Sequence, residues 1–253
     1  MKIKRSKRVA RLACCGLSVL VFAWVGIAQK TGKPTHLDLA RVLVRELQPE
    51  NTSYQHKQGY IKWKGEKGAE IYESRVDCSG LLNNLLERAY GITPDDFEKW
   101  MGKRRPYAED YHDAIAEQQK FRLIRSIGDV RPGDIIAIRY PPGTNENTGH
   151  LMIVAEAPVA RKPTKPQIDG AGQWEVSIID SSESGHGKTD TRHKPDATFG
   201  SGVGQGIFRI YTKPNGDIVG YSWSTFANSD YYDMETRHLV IGRLKVNGWQ
   251  QQK

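Results

Sequence analysis

The chain has 253 residues, of which 38% are apolar, with 25 glycines and 12 prolines. That fits one globular domain with a real core and is short for two. The formal net charge of +8 invites a polyanion partner, but Lys2, Lys4, Arg5, Lys7, Arg8 and Arg11 all precede the first acid, Asp38; from Gln29 onward 31 basic residues face 29 acidic ones, which excludes nucleic-acid binding driven by charge in that part of the chain.

The basic head is followed by an uncharged run from Leu12 to Ala28 that ends in small residues. This order of basic head, apolar middle and small-residue end predicts a secretory signal over residues 1–28. Its length also admits an uncleaved signal anchor tethering the protein to the membrane. Either reading predicts export to the periplasm or cell envelope. Residues 29–35 read as a linker and 36–249 as a single domain. Of the three cysteines, Cys14 and Cys15 fall inside the signal, so only Cys78 remains in the exported part and it has no partner there for a disulfide. It is either a small buried hydrophobe or a nucleophile.

Leu37, Ala40, Val44 and Leu47 recur at helical spacing behind a Thr35/Asp38 capping-box pattern, and Pro49 ends that helix. A polar and aromatic loop holding Tyr54, Tyr60 and Trp63 follows. A second helix is predicted to start near Cys78, with Leu81, Leu82, Leu85, Leu86 and Ala89 on one face and Gly91 at its end. The stretch 94–121 reads as a mostly helical, polar insertion with no chemistry. Thereafter the pattern turns strand-like: 134–140, 150–155, 174–180, 206–213, 217–223 and 238–246, separated by turn residues such as Pro214-Asn-Gly-Asp217. Helices first and strands afterwards predict an α+β fold with a mainly antiparallel sheet of about five to six strands. Insertions are expected near 92–125, 158–173 and 181–205. The glycine-rich run 200–206 resembles a phosphate loop only in composition, because a strand rather than a helix follows it.

A cysteine nucleophile needs a thiolate, a base, a group that orients the base, and donors for the oxyanion. Cys78 at a helix start has free backbone N–H groups and the positive end of the helix dipole beside it. Asp77 is the expected N-cap rather than a catalytic group. His150 opens an apolar strand directly after Gly149 and is the candidate general base. Asp180 ends the next strand; pairing beside the His150 strand would let it accept the Nδ1–H of that imidazole, its alternative being a solvated turn residue.

The run Asp77-Cys-Ser-Gly-Leu81 at a helix start, Arg131-Pro-Gly-Asp134 opening a strand, and Gly149-His-Leu-Met-Ile-Val154 opening the next resemble the NlpC-type cell-wall cysteine peptidases. The resemblance covers roughly residues 36–182. It implies a papain-like fold, with a thiol-bearing helix packed on an antiparallel sheet that carries the base. It also implies amide hydrolysis through a thioester, peptidoglycan stem peptide as substrate, and no cofactor or metal. The family's oxyanion tyrosine maps to Tyr54, with Tyr60 as competitor. The family's third catalytic position is usually a His or an amide; here Asp180 takes that place after a longer insertion.

Beyond the matched region, His186, Asp190, Arg192 and His193 form a polar cluster. Two histidines and an aspartate could ligate a metal, but the spacing matches no familiar ligand pattern and a solvated loop is the simpler reading. Arg192 is the candidate ligand for a substrate carboxylate. The competing functions are a non-catalytic wall-binding module on the same fold, an acyltransferase or amidase acting on another envelope substrate, and a metal-dependent hydrolase built on the 186–193 cluster.

Overall fold

The computed structural model describes residues 33–143 and 147–246. The predicted signal and most of the linker fall outside them. Among the described residues no helix is long and apolar enough to cross a membrane. Helix α1 (His36–Glu46) starts with the expected capping box: the Thr35 hydroxyl accepts the Asp38 N–H and the Asp38 carboxylate accepts the Thr35 N–H. The helix turns Leu39, Ala40 and Leu43 inward.

Three short strands follow, β1 (Thr52–Ser53), β2 (Tyr60–Lys62) and β3 (Glu73–Arg75). They form their own sheet in the order β1-β3-β2, with β1 parallel and β2 antiparallel to β3. Helix α2 (Cys78–Tyr90) is capped by Asp77 and ends at Gly91 in the left-handed region. Then come α3 (Pro94–Met101), α4 (Ala108–Ala116), β4 (Phe121–Ile124) and β5 (Ile135–Arg139). The remaining strands are β6 (Gly149–Val154), β7 (Val159–Arg161), β8 (Gly172–Ser182), β9 (Gly202–Thr212), β10 (Ile218–Ser222), β11 (Tyr231–Asp233) and β12 (Leu239–Leu244).

Strands β4 to β12 make one nine-stranded sheet, antiparallel at every pairing, ordered β11-β10-β9-β8-β6-β5-β12-β4 with β7 also on β8. This overturns the expected papain-like helix on five to six strands. The protein is mostly sheet, a nine-stranded antiparallel one and a three-stranded one, with four helices among the described residues. The excess comes from strands too short to show alternation, namely β1 to β4, β7 and β11, none longer than four residues.

Alternation along the central strands makes two cores. Ile135 and Ala137 on β5, with Leu151 and Ile153 on β6, join Leu81, Leu82, Leu85 and Leu86 of α2. Ile136, Ile138, Met152 and Val154 point the other way, onto Val176, Ile178, Phe208 and Tyr221. With a core on each side, β6 is buried along its whole length. The 94–121 stretch is not a polar appendage: Phe97, Ala108, Tyr111, Ala114, Ile115 and Phe121 belong to the helix-side core.

The Arg131-Pro-Gly-Asp134 motif is a structural clasp. Asp134 accepts the Arg131 N–H at 2.8 Å and a two-pronged pair of hydrogen bonds from Arg243 at 2.8 and 2.9 Å, tying the start of β5 to β12.

Candidate active site

Cys78 occupies the first position of α2, buried and unbonded to any other sulfur. As the first residue of the helix it has an N–H with no acceptor within the helix, placed to meet a substrate oxygen. Asp77 acts as the cap: Oδ1 accepts the Gly80 N–H and the Ser79 hydroxyl, and Oδ2 accepts from Arg105 Nη2 at 3.0 Å.

The helix start lies over a split in the sheet. β6 and β8 pair only at Ile153↔Ile179 and Val154↔Ile178; beyond these pairs, toward His150 and Asp180, no ladder joins them. Cys78 borders a narrow gap with Leu151, Met152, Ile153 and Ile179 at this point. His150 opens β6 and pairs with Ile138 on β5. Gly149 before it has φ of +149°, and a β-carbon there would run into the Ile138 carbonyl oxygen.

His150 Nε2–H donates to Asp180 Oδ2 at 2.7 Å. The expected nitrogen was Nδ1. Because Asp180 lies across the split, Nε2 is the ring nitrogen that reaches it, and Cys78 is near enough for its charge to act on the same ring. Trp223 meets the ring edge-on with centroids 4.9 Å apart. Burial alone would lower the His150 pKa, but the charge of Cys78, the hydrogen bonds to Asp180 and Cys78, and the charge of Asp180 push it up to about 10.

Asp180 is 1% exposed. Burial works to raise its pKa, yet the charges of Arg192 and His186 and the hydrogen bonds from His150 and His186 hold it well below the usual carboxylate range. His186 Nε2 lies 2.9 Å from the same Oδ2, and its Nδ1 lies 2.7 Å from the Trp223 carbonyl oxygen, each within hydrogen-bond reach. Arg192 is not where a substrate ligand would be. It is buried, donates from Nε and Nη2 to Asp190 at 2.9 Å each and from Nη1 to the Gly202 carbonyl at 3.0 Å. Its Nη2 also stands 2.8 Å from Asp180 Oδ1. That contact lacks hydrogen-bond direction and holds Oδ1 by charge alone.

A cleft of about 410 Å³ opens onto Cys78 between Tyr54, His56, Lys57, Tyr107 and Asn147. The two tyrosine candidates separate clearly. Tyr54 lines this cleft and its phenol is held protonated, pushed up first by burial and then by Cys78 and Asp77. Tyr60 is exposed on β2 and donates to Glu73 Oε1 at 2.8 Å.

No protein-family model matches the chain. No solved structure matches it. A relative does: "Uncharacterized protein R653" of Acanthamoeba polyphaga mimivirus is 35% identical over 223 residues, a match covering 85% of this chain and 98% of the relative. The chain belongs to the R653 family. A continuous match of that extent takes in residues 78 to 192 wherever it begins, so it spans the cleft, the split in the sheet and the buried cluster behind it.

In this R653-family chain His150, Asp180 and His186 place one ligand atom each within 4.8 Å of one another, close enough to consider a cation. The donor set fits poorly. Arg192 already sets a fixed positive charge on Asp180, and both Nε2 atoms hydrogen-bond one oxygen. The 186–193 set does not assemble either: Asp190 serves Arg192 and the His186 N–H, and His193 packs edge-on against Phe199. Reasoning from sequence missed His56, whose Nδ1 lies 3.6 Å from Asp77 Oδ2, as well as Lys57, Tyr107 and Trp223. None carries a local pattern that would have marked it; they meet at the site only through folding.

Proposed function

We propose that the protein is an exported cysteine hydrolase that cleaves an amide bond through a thioester on Cys78. The observation that carries this reading is the grouping of Cys78, His150 and Asp180: a buried thiol that also lines an open cleft, near enough for its charge to act on an imidazole whose Nε2 is held by a carboxylate.

The thiolate attacks the amide carbonyl, and the negative oxygen meets the Cys78 N–H and the Tyr54 hydroxyl. His150 gives its Nδ1 proton to the leaving nitrogen, the C–N bond breaks and a thioester remains. Water then donates a proton to His150 and attacks the thioester carbonyl. The carboxylic acid leaves and the thiolate and imidazolium are restored. Asp180 keeps the ring oriented throughout.

The motif resemblance to NlpC-type enzymes directs the substrate proposal to peptidoglycan stem peptides or a related envelope peptide, and the basic head and apolar run of residues 1–28 support export. The test is digestion of purified peptidoglycan by wild type and by Cys78→Ala, with mass analysis of the fragments. Peptide-bond cleavage by wild type alone is the expected result. The same fragments from Cys78→Ala would end the proposal. A wild type that binds the wall without releasing anything would favour a binding module instead.

A further inference from the structure

The loop 183–201 sends His186, Asp190 and Arg192 back under the candidate base, where none of them reaches the cleft. Strand β9 explains how they fit. Asp180 stands opposite Gly204 and Ile178 opposite Gly206 in the β8–β9 ladder. A β-carbon on Gly204 would collide with the middle of the Arg192 side chain, at Nε, Cδ and Cγ. One on Gly206 would collide with the Asp190 carboxylate and His186 Cβ. The glycine run is therefore a bare trough in a strand, and the charged side chains of the loop lie in it.

We propose that Arg192 and His186 are positioning residues that hold Asp180 as a carboxylate against His150, and so set the pH range over which Cys78 is reactive. This rests on the Cys78–His150–Asp180 reading above. The groups facing Asp180 support it from every side. From β6 comes His150, with Cys78 of α2 beyond it; from the end of β5 comes Tyr140, close enough to sense the Asp180 charge. From the loop come His186 and Arg192, the latter clamped by Asp190. β9 contributes only glycine opposite it. Both ring nitrogens of His186 face oxygen atoms, the Trp223 carbonyl and Asp180 Oδ2, at 2.7 and 2.9 Å. The Arg192 guanidinium and the His186 ring thus lie on a buried acid that burial alone would push toward protonation, and a protonated Asp180 could no longer stabilise the His150 imidazolium or, through it, the thiolate.

The experiment measures the rate of Cys78 alkylation by iodoacetamide against pH, in the full-length protein, for wild type, Arg192→Met, Arg192→Lys and Gly204→Ala. In Arg192→Met the acid limb should move to higher pH by about one unit, the size of effect expected when a cation is removed from beside a carboxylate. Arg192→Lys should recover part of the shift. Gly204→Ala changes no charge and should shift the limb in the same direction by displacing Arg192. A purely structural role would lower the folded fraction without moving the limb; a folded Arg192→Met whose limb coincides with wild type overturns the inference. Should that variant not fold, the carbon-13 signal of the Asp180 carboxyl in the wild-type protein decides: it should remain ionised at about pH 4, and protonation at or above that pH overturns the inference. The underlying reading fails separately, if wild-type Cys78 alkylates with the pH dependence of an ordinary thiol, near about 8.5.

Discussion

The carbonyl oxygen of Ile138 occupies the space that a β-carbon on Gly149 would need. Since Ile138 is the ladder partner of His150, this close approach fixes where the imidazole leaves the sheet. Gly149→Ala should push β5 and β6 apart at that pair and strain a backbone with φ of +149°. We expect a loss of about 2–3 kcal/mol in urea unfolding. The surviving folded protein should lose roughly 100-fold in Cys78 reactivity because the base is misplaced. Unchanged stability and reactivity would show that the approach does not position His150.

His150 should report its partners by titration. Its pKa is raised to about 10, with Cys78 the foremost raising cause. A group raised on folding contributes stability that is full below its unfolded value, about 6.5, and is lost as pH rises through the folded value. Nitrogen-15 NMR of the ring should therefore show His150 keeping both protons to about pH 10 in wild type and losing one at lower pH in Cys78→Ala. Amide hydrolysis should fall above about pH 10, as the proton for the leaving nitrogen disappears, while iodoacetamide alkylation should persist there, since it needs only the thiolate. If alkylation and hydrolysis fall together, His150 is not the proton donor.

How much of this was legible beforehand depended on whether the cause was local. The Thr35/Asp38 capping box, the Asp77 cap and the Gly91 stop are each set by residues within one helical turn, and each is found where its pattern lies. The core strands showed themselves by apolar runs, and β5, β6, β8, β9, β10 and β12 fall on or beside the expected segments. Strands of two to four residues hold too few positions to alternate, so β1 to β3 and the sheet's extra members were invisible. The nitrogen of His150 that meets Asp180 depends on the split between β6 and β8, a feature of the ladder rather than of either strand. Arg192 was read as facing a substrate because its sequence position is near Asp180; the glycine-bare face of β9, far along the chain, turns it inward.

The Asp134 clasp should matter to stability and not to chemistry. Asp134 is 1% exposed and takes both prongs of Arg243, which is itself partly exposed. Arg243→Met leaves the carboxylate buried with only the Arg131 N–H. Discounted for that partial exposure, the cost should be about 1–3 kcal/mol in urea unfolding. Alkylation of Cys78 below the unfolding midpoint should match wild type. A large change in reactivity at full folding would mean that the clasp also shapes the cleft.

Tyr54 gives the sharpest separation of the proposed steps. It lines the cleft with Cys78, and burial together with the nearby Cys78 and Asp77 keeps its phenol protonated and able to donate. If it donates to the oxyanion, Tyr54→Phe removes an interaction made only as the carbonyl becomes tetrahedral. The kcat for amide cleavage should then drop by roughly 10²-fold, the lower end seen for removal of one oxyanion donor, with KM little changed. Alkylation by iodoacetamide forms no oxyanion and should proceed at the wild-type rate. Tyr60→Phe should leave both reactions untouched, because that hydroxyl is bonded to Glu73 on the outer sheet. A Tyr54→Phe protein that slows alkylation as much as hydrolysis would place the tyrosine's effect on the thiolate rather than on the oxyanion.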